Sequence, residues 1–368
     1  MRLLPVTLFG DIPSDSHPPT RSRRGWTLLL IATAAVVGLS VLPTPYVIQQ
    51  PGGTFDTLGQ VTIDDREVDM ISIADETTYP TTGQLRMLTV GVVGDRTHPV
   101  SWLSVAQAWF DRSKAVLPID SVYPNGQTVE ESTAENQMLM DQSREEATAA
   151  ALRELGYAVP TEVVIDSIVP DSPAAAVLAE GDAITEIAGQ MVEDAQTVQR
   201  AVVSAEPGTT VTLTVMRAGE ALSFEVTPAS GFAAVPVIGV SLRTVYDFPF
   251  PVTIQLQNVG GPSAGMMFAL GIIDKLTPED ETGGLTIAGT GTMTASGEVG
   301  PIGGIRQKLF GAQQAGATWF LAPADNCAEV VGHVPDGMGV VRVETLSDAR
   351  TALDRIREGS TADLPTCS

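Results

Sequence analysis

The sequence predicts an α+β protein made of two folded units behind one apolar N-terminal segment. Three observations predict it. Trp26 to Leu42 contains no charged residue. A middle stretch, from about Tyr157 to Pro228, reads as short β runs separated by Gly, Pro and Ser turns. On both sides of that stretch, strands alternate with segments of helical periodicity. A chain of 368 residues has room for such a pair of domains, each of about 100–200 residues.

The apolar segment comes first. WTLLLIATAAVVGLSVL, with Pro43 and Tyr46 extending the uncharged run, approaches the roughly 20 residues a helix needs to cross a bilayer. Arg21, Arg23 and Arg24 precede it, so the positive-inside rule keeps residues 1–25 as a cytoplasmic tail. Residues 26–46 are then a transmembrane anchor in the cell membrane, and the rest of the chain is extracytoplasmic. A cleavable signal peptide fits less well, because no small-x-small site follows Leu42.

Beyond the anchor, Val61–Ile63 and Leu85–Val90 read as strands. Trp102, Val105, Ala106 and Trp109 recur at helical spacing, as do Met140, Ala147 and Ala151 within a helix expected over 136–156. In the middle stretch, strands are expected at Val163–Ile168, Ala183–Ile187 and Val211–Val215, with a helix over 195–204. Ser172-Pro173, Gly181-Asp182 and Pro207-Gly208 mark the turns. This stretch resembles a PDZ domain, which implies peptide binding by strand addition to a sheet edge. No glycine-rich carboxylate-binding loop is evident at Tyr157–Thr161.

Charge and cysteine content narrow the function. With 44 acidic against 21 basic residues the net charge is −23, which repels nucleic acid. Cys327 and Cys367 are the only cysteines, too few for a thiolate metal site; they are either bridged to each other or free. No histidine pair or carboxylate cluster has metal-ligand spacing, and no G-x-x-x-x-G-K-[ST] phosphate loop occurs. Neither a cofactor nor a metal is expected, and an ATP-driven motor is absent from the sequence.

The chemistry-bearing residues lie after Pro228. A strand at Val252–Leu256 leads into Asn258-Val259-Gly260-Gly261-Pro262-Ser263-Ala264-Gly265 and a long apolar run. The glycines and proline read as a tight turn feeding a buried helix, whose free N–H groups favour an oxyanion beside Ser263. A second block, Gly289-Thr290-Gly291 and then Gly300-Pro301-Ile302-Gly303-Gly304-Ile305-Arg306-Gln307-Lys308, runs into an Ala-rich helix. Together the blocks resemble the proteolytic domain of Lon proteases, with the serine in a Gly261-Pro262-Ser263-Ala264-Gly265 motif and the lysine after an Ile-Gly-Gly turn.

That resemblance implies a serine endopeptidase acting on protein or peptide substrates; the missing phosphate loop makes it ATP-independent, and the apolar N-terminal segment makes it membrane-anchored. Ser263 corresponds to the nucleophile, Lys308 to its base, and Thr290 to the hydroxyl that holds the lysine, with Gly261, Pro262 and Gly265 shaping the turn. A lysine can accept the serine proton only when neutral, so burial among Ile302, Ile305 and Leu309 must depress its pKa. Many Lon proteases carry an acidic residue three places before the serine; here Gly260 stands there. The helix over 136–156 is similar to an early helix of that domain, which places the PDZ-like module (157–230) inside a fold made from 50–156 and 231–357, before a tail, 358–368. Family members often form rings, which implies a homo-oligomer. Two rivals remain. G-x-S-x-G also fits a nucleophile elbow, with His333 as sole histidine after the serine. A catalytically silent membrane-tethered PDZ scaffold is the alternative of a different class.

Overall fold

The computed structural model describes residues 23–192, 194–205, 208–231 and 235–367. The expected cytoplasmic tail lies almost wholly outside them. The first helix, Arg23–Val41, exposes Trp26, Leu28, Ile31, Val36 and Val41, so among the described residues most of its apolar surface is uncovered. Among the described residues no helix is long and apolar enough to cross a membrane. The anchor expected over 26–46 is also shorter than that range. Pro43 and Pro45 cannot continue a helix, Pro43 bridges to Ser101, and Tyr46 already belongs to a strand.

One six-stranded sheet draws on both ends of the chain. Its order is Gly339–Val343, Trp319–Pro323, Thr286–Gly289, Gln84–Val93, Tyr46–Asp56 and Ala115–Pro118. The first four strands are parallel and the last two antiparallel to their neighbours. Parallel strands need both faces covered. Helices Val129–Glu154, Gly265–Leu276 and Leu346–Arg357 close one face around Met266, Phe268, Leu353 and Ala147. Helices Ile305–Gln314 and Cys327–Val330 close the other around Leu88, Ile305, Leu309 and Phe320.

Helix Val129–Glu154 begins earlier than its periodicity predicts. Thr128 and Glu131 form a capping box, each side chain satisfying the other's backbone N–H, and this fixes the start. The pattern Thr128-Val129-Glu130-Glu131 carries that start in the sequence, upstream of the apolar period.

The second sheet is antiparallel, in the order Glu220–Val226, Val211–Arg217, Ala183–Ile187, Thr161–Ile168 and Val240–Tyr246. Helix Ala195–Val203 packs on it through Val198 and Val202. The module therefore extends to residue 246, not 230, because Val240–Tyr246 pairs along the whole of Thr161–Ile168. Its two connections to the first unit run side by side. Asp247 N–H donates to Pro160 O at 3.0 Å, and Tyr157 meets Phe250 edge-on at 5.2 Å. The β module is thus inserted between the two parts of the first unit.

The C-terminal segment is docked rather than loose. Arg342 N–H donates to Pro365 O, Leu364 is buried, and Cys367 is disulfide-bonded to Cys327.

Candidate active site

Ser263 sits between a strand and a helix. Val252–Ile254 pairs with Ile71–Ile73, and the chain then turns through Asn258 and Gly261, both at positive φ, into helix Gly265–Leu276. Ten successive residues of that helix, Gly265 to Asp274, are buried, which fixes its N-terminus and the turn before it. Gly261 has φ +87°, a conformation L side chains rarely adopt. Gly260 is required for a different reason. A Cβ there would come within 2.8 Å of Asn136 Cβ and 3.1 Å of its backbone carbon. The acidic residue found at this place in many Lon proteases has no room beside helix Val129–Glu154.

Lys308 arrives from the opposite face of the sheet. Gly304, at φ +71°, turns the chain into helix Ile305–Gln314, and Lys308 lies near its first turn. Its Nζ is 2.7 Å from Ser263 Oγ and 2.8 Å from Thr290 Oγ1. The side chain is only 2% exposed and forms no ion pair among the described residues. Burial alone lowers its pKa from 10.5 to about 7. Ile302, Ile305 and Leu309 are buried in the adjoining apolar cluster.

The hydrogen bonds around the amine have a fixed direction. Thr290 donates its hydroxyl proton to the carbonyl of Ser263 at 2.9 Å, so its oxygen must accept from Lys308. A neutral amine then has its lone pair free for the Ser263 hydroxyl. Gly291 N–H also donates to Ser263 O, at 3.0 Å. The backbone N–H of Ser263 has no acceptor among the described residues.

A cleft of about 430 Å³ opens over the pair, lined by Gly52, Thr89, Val90, Gly260, Ser263 and Lys308 among others. Strand Gln84–Val93 forms one wall. It pairs with Thr286–Gly289 only as far as Met87, so on that side the backbone from Leu88 onward meets no strand among the described residues. His333 is not beside the serine; its Nδ1 lies 3.1 Å from Val331 O.

Sequence reasoning missed several residues that hold this site. Asn326 clamps both backbone groups of Ile302, accepting from its N–H and donating to its C=O at 2.9 Å each. Ser143, Asn136 and Arg144 grip the serine loop from helix Val129–Glu154. These contacts join residues distant in the chain, and no local pattern announces them.

This arrangement, a serine in the turn before one helix and a buried lysine on a helix from the other face of the same mixed sheet, is of the serine-peptidase class, and comparison with known proteins narrows it. Residues 258–353 match the Lon protease (S16) C-terminal proteolytic domain, and residues 126–227 match the PDZ domain family. The chain therefore carries a Lon-type serine-peptidase domain together with a PDZ domain. It is 38% identical over 91 residues to the Lon protease of Clostridium beijerinckii, covering 24% of this chain and 11% of that one. It is 37% identical over 100 residues to Lon protease 1 of Sorangium cellulosum, covering 26% and 12%. The segment shared with Lon protease 2 of Bacillus subtilis is 34% identical over 114 residues, covering 29% and 20%. The chain thus spans only a small part of the length of these relatives. The crystal structure of the PDZ domain of an SdrC-like protein from Listeria monocytogenes is similar over 22% of this chain and 85% of that one, with 31% identity and a TM-score of 0.21.

Proposed function

We propose that this chain is an ATP-independent serine endopeptidase that cleaves extended protein segments by a Ser263–Lys308 acyl-enzyme mechanism. The observation that carries the reading is the buried Lys308 amine, without a carboxylate partner, 2.7 Å from the serine hydroxyl. Ser263 Oγ attacks the scissile carbonyl while its proton passes to Lys308 Nζ. The free N–H of Ser263, at a helix N-terminus, stabilises the oxyanion. Lys308 then returns the proton to the leaving amine, and it activates the water that hydrolyses the ester.

An extended substrate fits the unpaired backbone of strand Gln84–Val93, because strand addition satisfies groups that otherwise face water. The same logic applies to the PDZ sheet, whose edge strand Val240–Tyr246 lies beside helix Ala195–Val203 and leads directly toward the serine loop. We read that edge as recruiting or restraining substrate. The exposed apolar surface of helix Arg23–Val41 supports attachment to a bilayer, with the catalytic unit outside the cytoplasm. The Cys327–Cys367 bridge fits that compartment.

The test is turnover of an unfolded, casein-like protein by the purified chain without nucleotide. Wild-type cleavage with no cleavage by Ser263→Ala supports the reading. Equal rates in the two, or no activity in either, reject it and leave the chain a binding scaffold.

A further inference from the structure

Mid-helix serines usually return their hydroxyl to a carbonyl one turn back on their own helix. Helix Val129–Glu154 shows the habit twice: Thr133 donates to Val129 O and Thr148 to Arg144 O. Ser143 departs from it. Only 1% exposed, it donates instead to the carbonyl of Pro262, at 3.0 Å and across 119 residues of sequence. Two neighbours on the same helix reinforce the contact. Asn136 O accepts from Gly261 N–H at 2.7 Å, and Arg144 Nη2 donates to Leu256 O at 2.9 Å.

The carbonyl that Ser143 holds belongs to the same peptide plane as the N–H of Ser263. That plane is rigid and trans, so its C=O and N–H point in opposite directions. Holding Pro262 O against Ser143 therefore aims the Ser263 N–H away from the helix and leaves it free for a ligand. Gly265 N–H also approaches Pro262 O, but at 3.4 Å it is too distant to set the orientation alone. On the far side of the nucleophile, Thr290 and Gly291 fix the next peptide plane through Ser263 O in the same manner.

We infer that Ser143 is a positioning residue for the oxyanion hole, acting through the Pro262–Ser263 peptide. It touches neither the substrate nor the reacting atoms. Its hydroxyl fixes the direction of a backbone donor that faces the developing oxyanion. The inference rests on the serine-peptidase reading and adds to it a residue from the segment that precedes the PDZ module.

The experiment compares wild type, Ser143→Ala, Ser143→Thr and Ser263→Ala on a peptide substrate, with a peptide aldehyde as inhibitor. The aldehyde adds Ser263 Oγ to its carbonyl carbon, giving a hemiacetal whose oxygen occupies the oxyanion position. Ser143→Ala should lower kcat about 10- to 100-fold with KM within about twofold. Its aldehyde Ki should weaken by the same factor, and Ser143→Thr, which keeps the donor, should restore most of both. A Ser143→Ala enzyme with wild-type kcat, or one whose kcat falls while the aldehyde Ki does not move, overturns the inference. Should Ser143→Ala not fold, Ser143→Thr is compared with Ser143→Cys, which keeps the shape but donates weakly. An impaired Cys beside an active Thr supports the role, and equal behaviour overturns it. If wild type and Ser263→Ala are equally inactive, the peptidase reading falls and takes this one with it; if wild type turns over and Ser143→Ala matches it, only the positioning role falls.

Discussion

Each of the two units buries an ionisable side chain, and they do it in opposite ways. In the PDZ module Asp182 is 1% exposed and fully answered. Arg217 reaches it with Nε and Nη2 at 2.7 Å each, and Ala179 N–H adds a third bond at 2.8 Å. The guanidinium holds the Asp182 carboxyl below its usual range. In the catalytic unit Lys308 is equally buried but receives hydroxyl partners and no counter-charge. A paired charge keeps its ionised form and supports the fold. An unpaired one gives up its charge near pH 7, and this is what a general base requires.

The largest expected effect comes from removing the unpaired amine. Lys308→Met should lower peptidase activity by at least about 10³-fold, while the protein becomes more stable. The sign follows from linkage. With a folded pKa near 7 and an unfolded value of 10.5, the unfolded chain binds more protons between them, so wild-type stability rises with pH across that window. The gain from Met should therefore be larger at pH 6 than at pH 9, as read by thermal melts. A variant that melts lower than wild type at pH 6 breaks the contrast.

The second effect is kinetic. Activity should climb about tenfold per pH unit below 7 and level off above it, as Lys308 loses its proton. A rate that is flat from pH 5.5 to 8.5 removes the lysine from the role of base.

A smaller effect is expected in the PDZ module. Asp182→Ala leaves Arg217 without its partner and should lower the thermal midpoint by at least about 5 °C. The loss should be full at pH 7 and shrink toward pH 3, because wild-type Asp182 gives up its own contribution as it is protonated.

The smallest concerns Asp274, near the end of the helix that begins at Gly265. Its Oδ1 accepts from Glu281 N–H at 2.7 Å, but its Oδ2 is buried without a partner among the described residues, and desolvation raises its pKa to about 7. Here the folded chain binds more protons between 3.8 and 7, so stability is lost as pH rises through that range. Asp274→Asn should raise the melting temperature by a few degrees at pH 8, on the order of 1 kcal/mol, and by less at pH 5. Equal shifts at both pH values would show that burial is not what perturbs the carboxyl.

These two kinds of site also differ in how far the sequence announced them. Gly181-Asp182 reads only as a turn, and nothing local pairs it with Arg217. The serine loop is far more legible, because a strained turn into a buried helix demands glycine, proline and a small polar residue at successive places. Lys308 follows a similar turn, and its expected loss of charge could be stated before any distance was known. The β module is legible at Val163–Ile168 and its neighbours, but its last strand is not. The alternation through Val240, Leu242 and Tyr246 is short, and its identity as a strand depends on pairing with residues far back in the chain.

The sequence by itself determined the local grammar: the capping box, the two glycine turns, the apolar periods and the residue types able to perform acyl transfer. Tertiary structure alone decided that strands from 46–118 and 286–343 share one sheet, that Cys327 meets Cys367, and that Ser143 holds the peptide before Ser263. The physical reason is one of range. Backbone propensity and solvent patterning act within a few residues, whereas a hydrogen bond across 119 positions exists only once packing has brought both partners out of water.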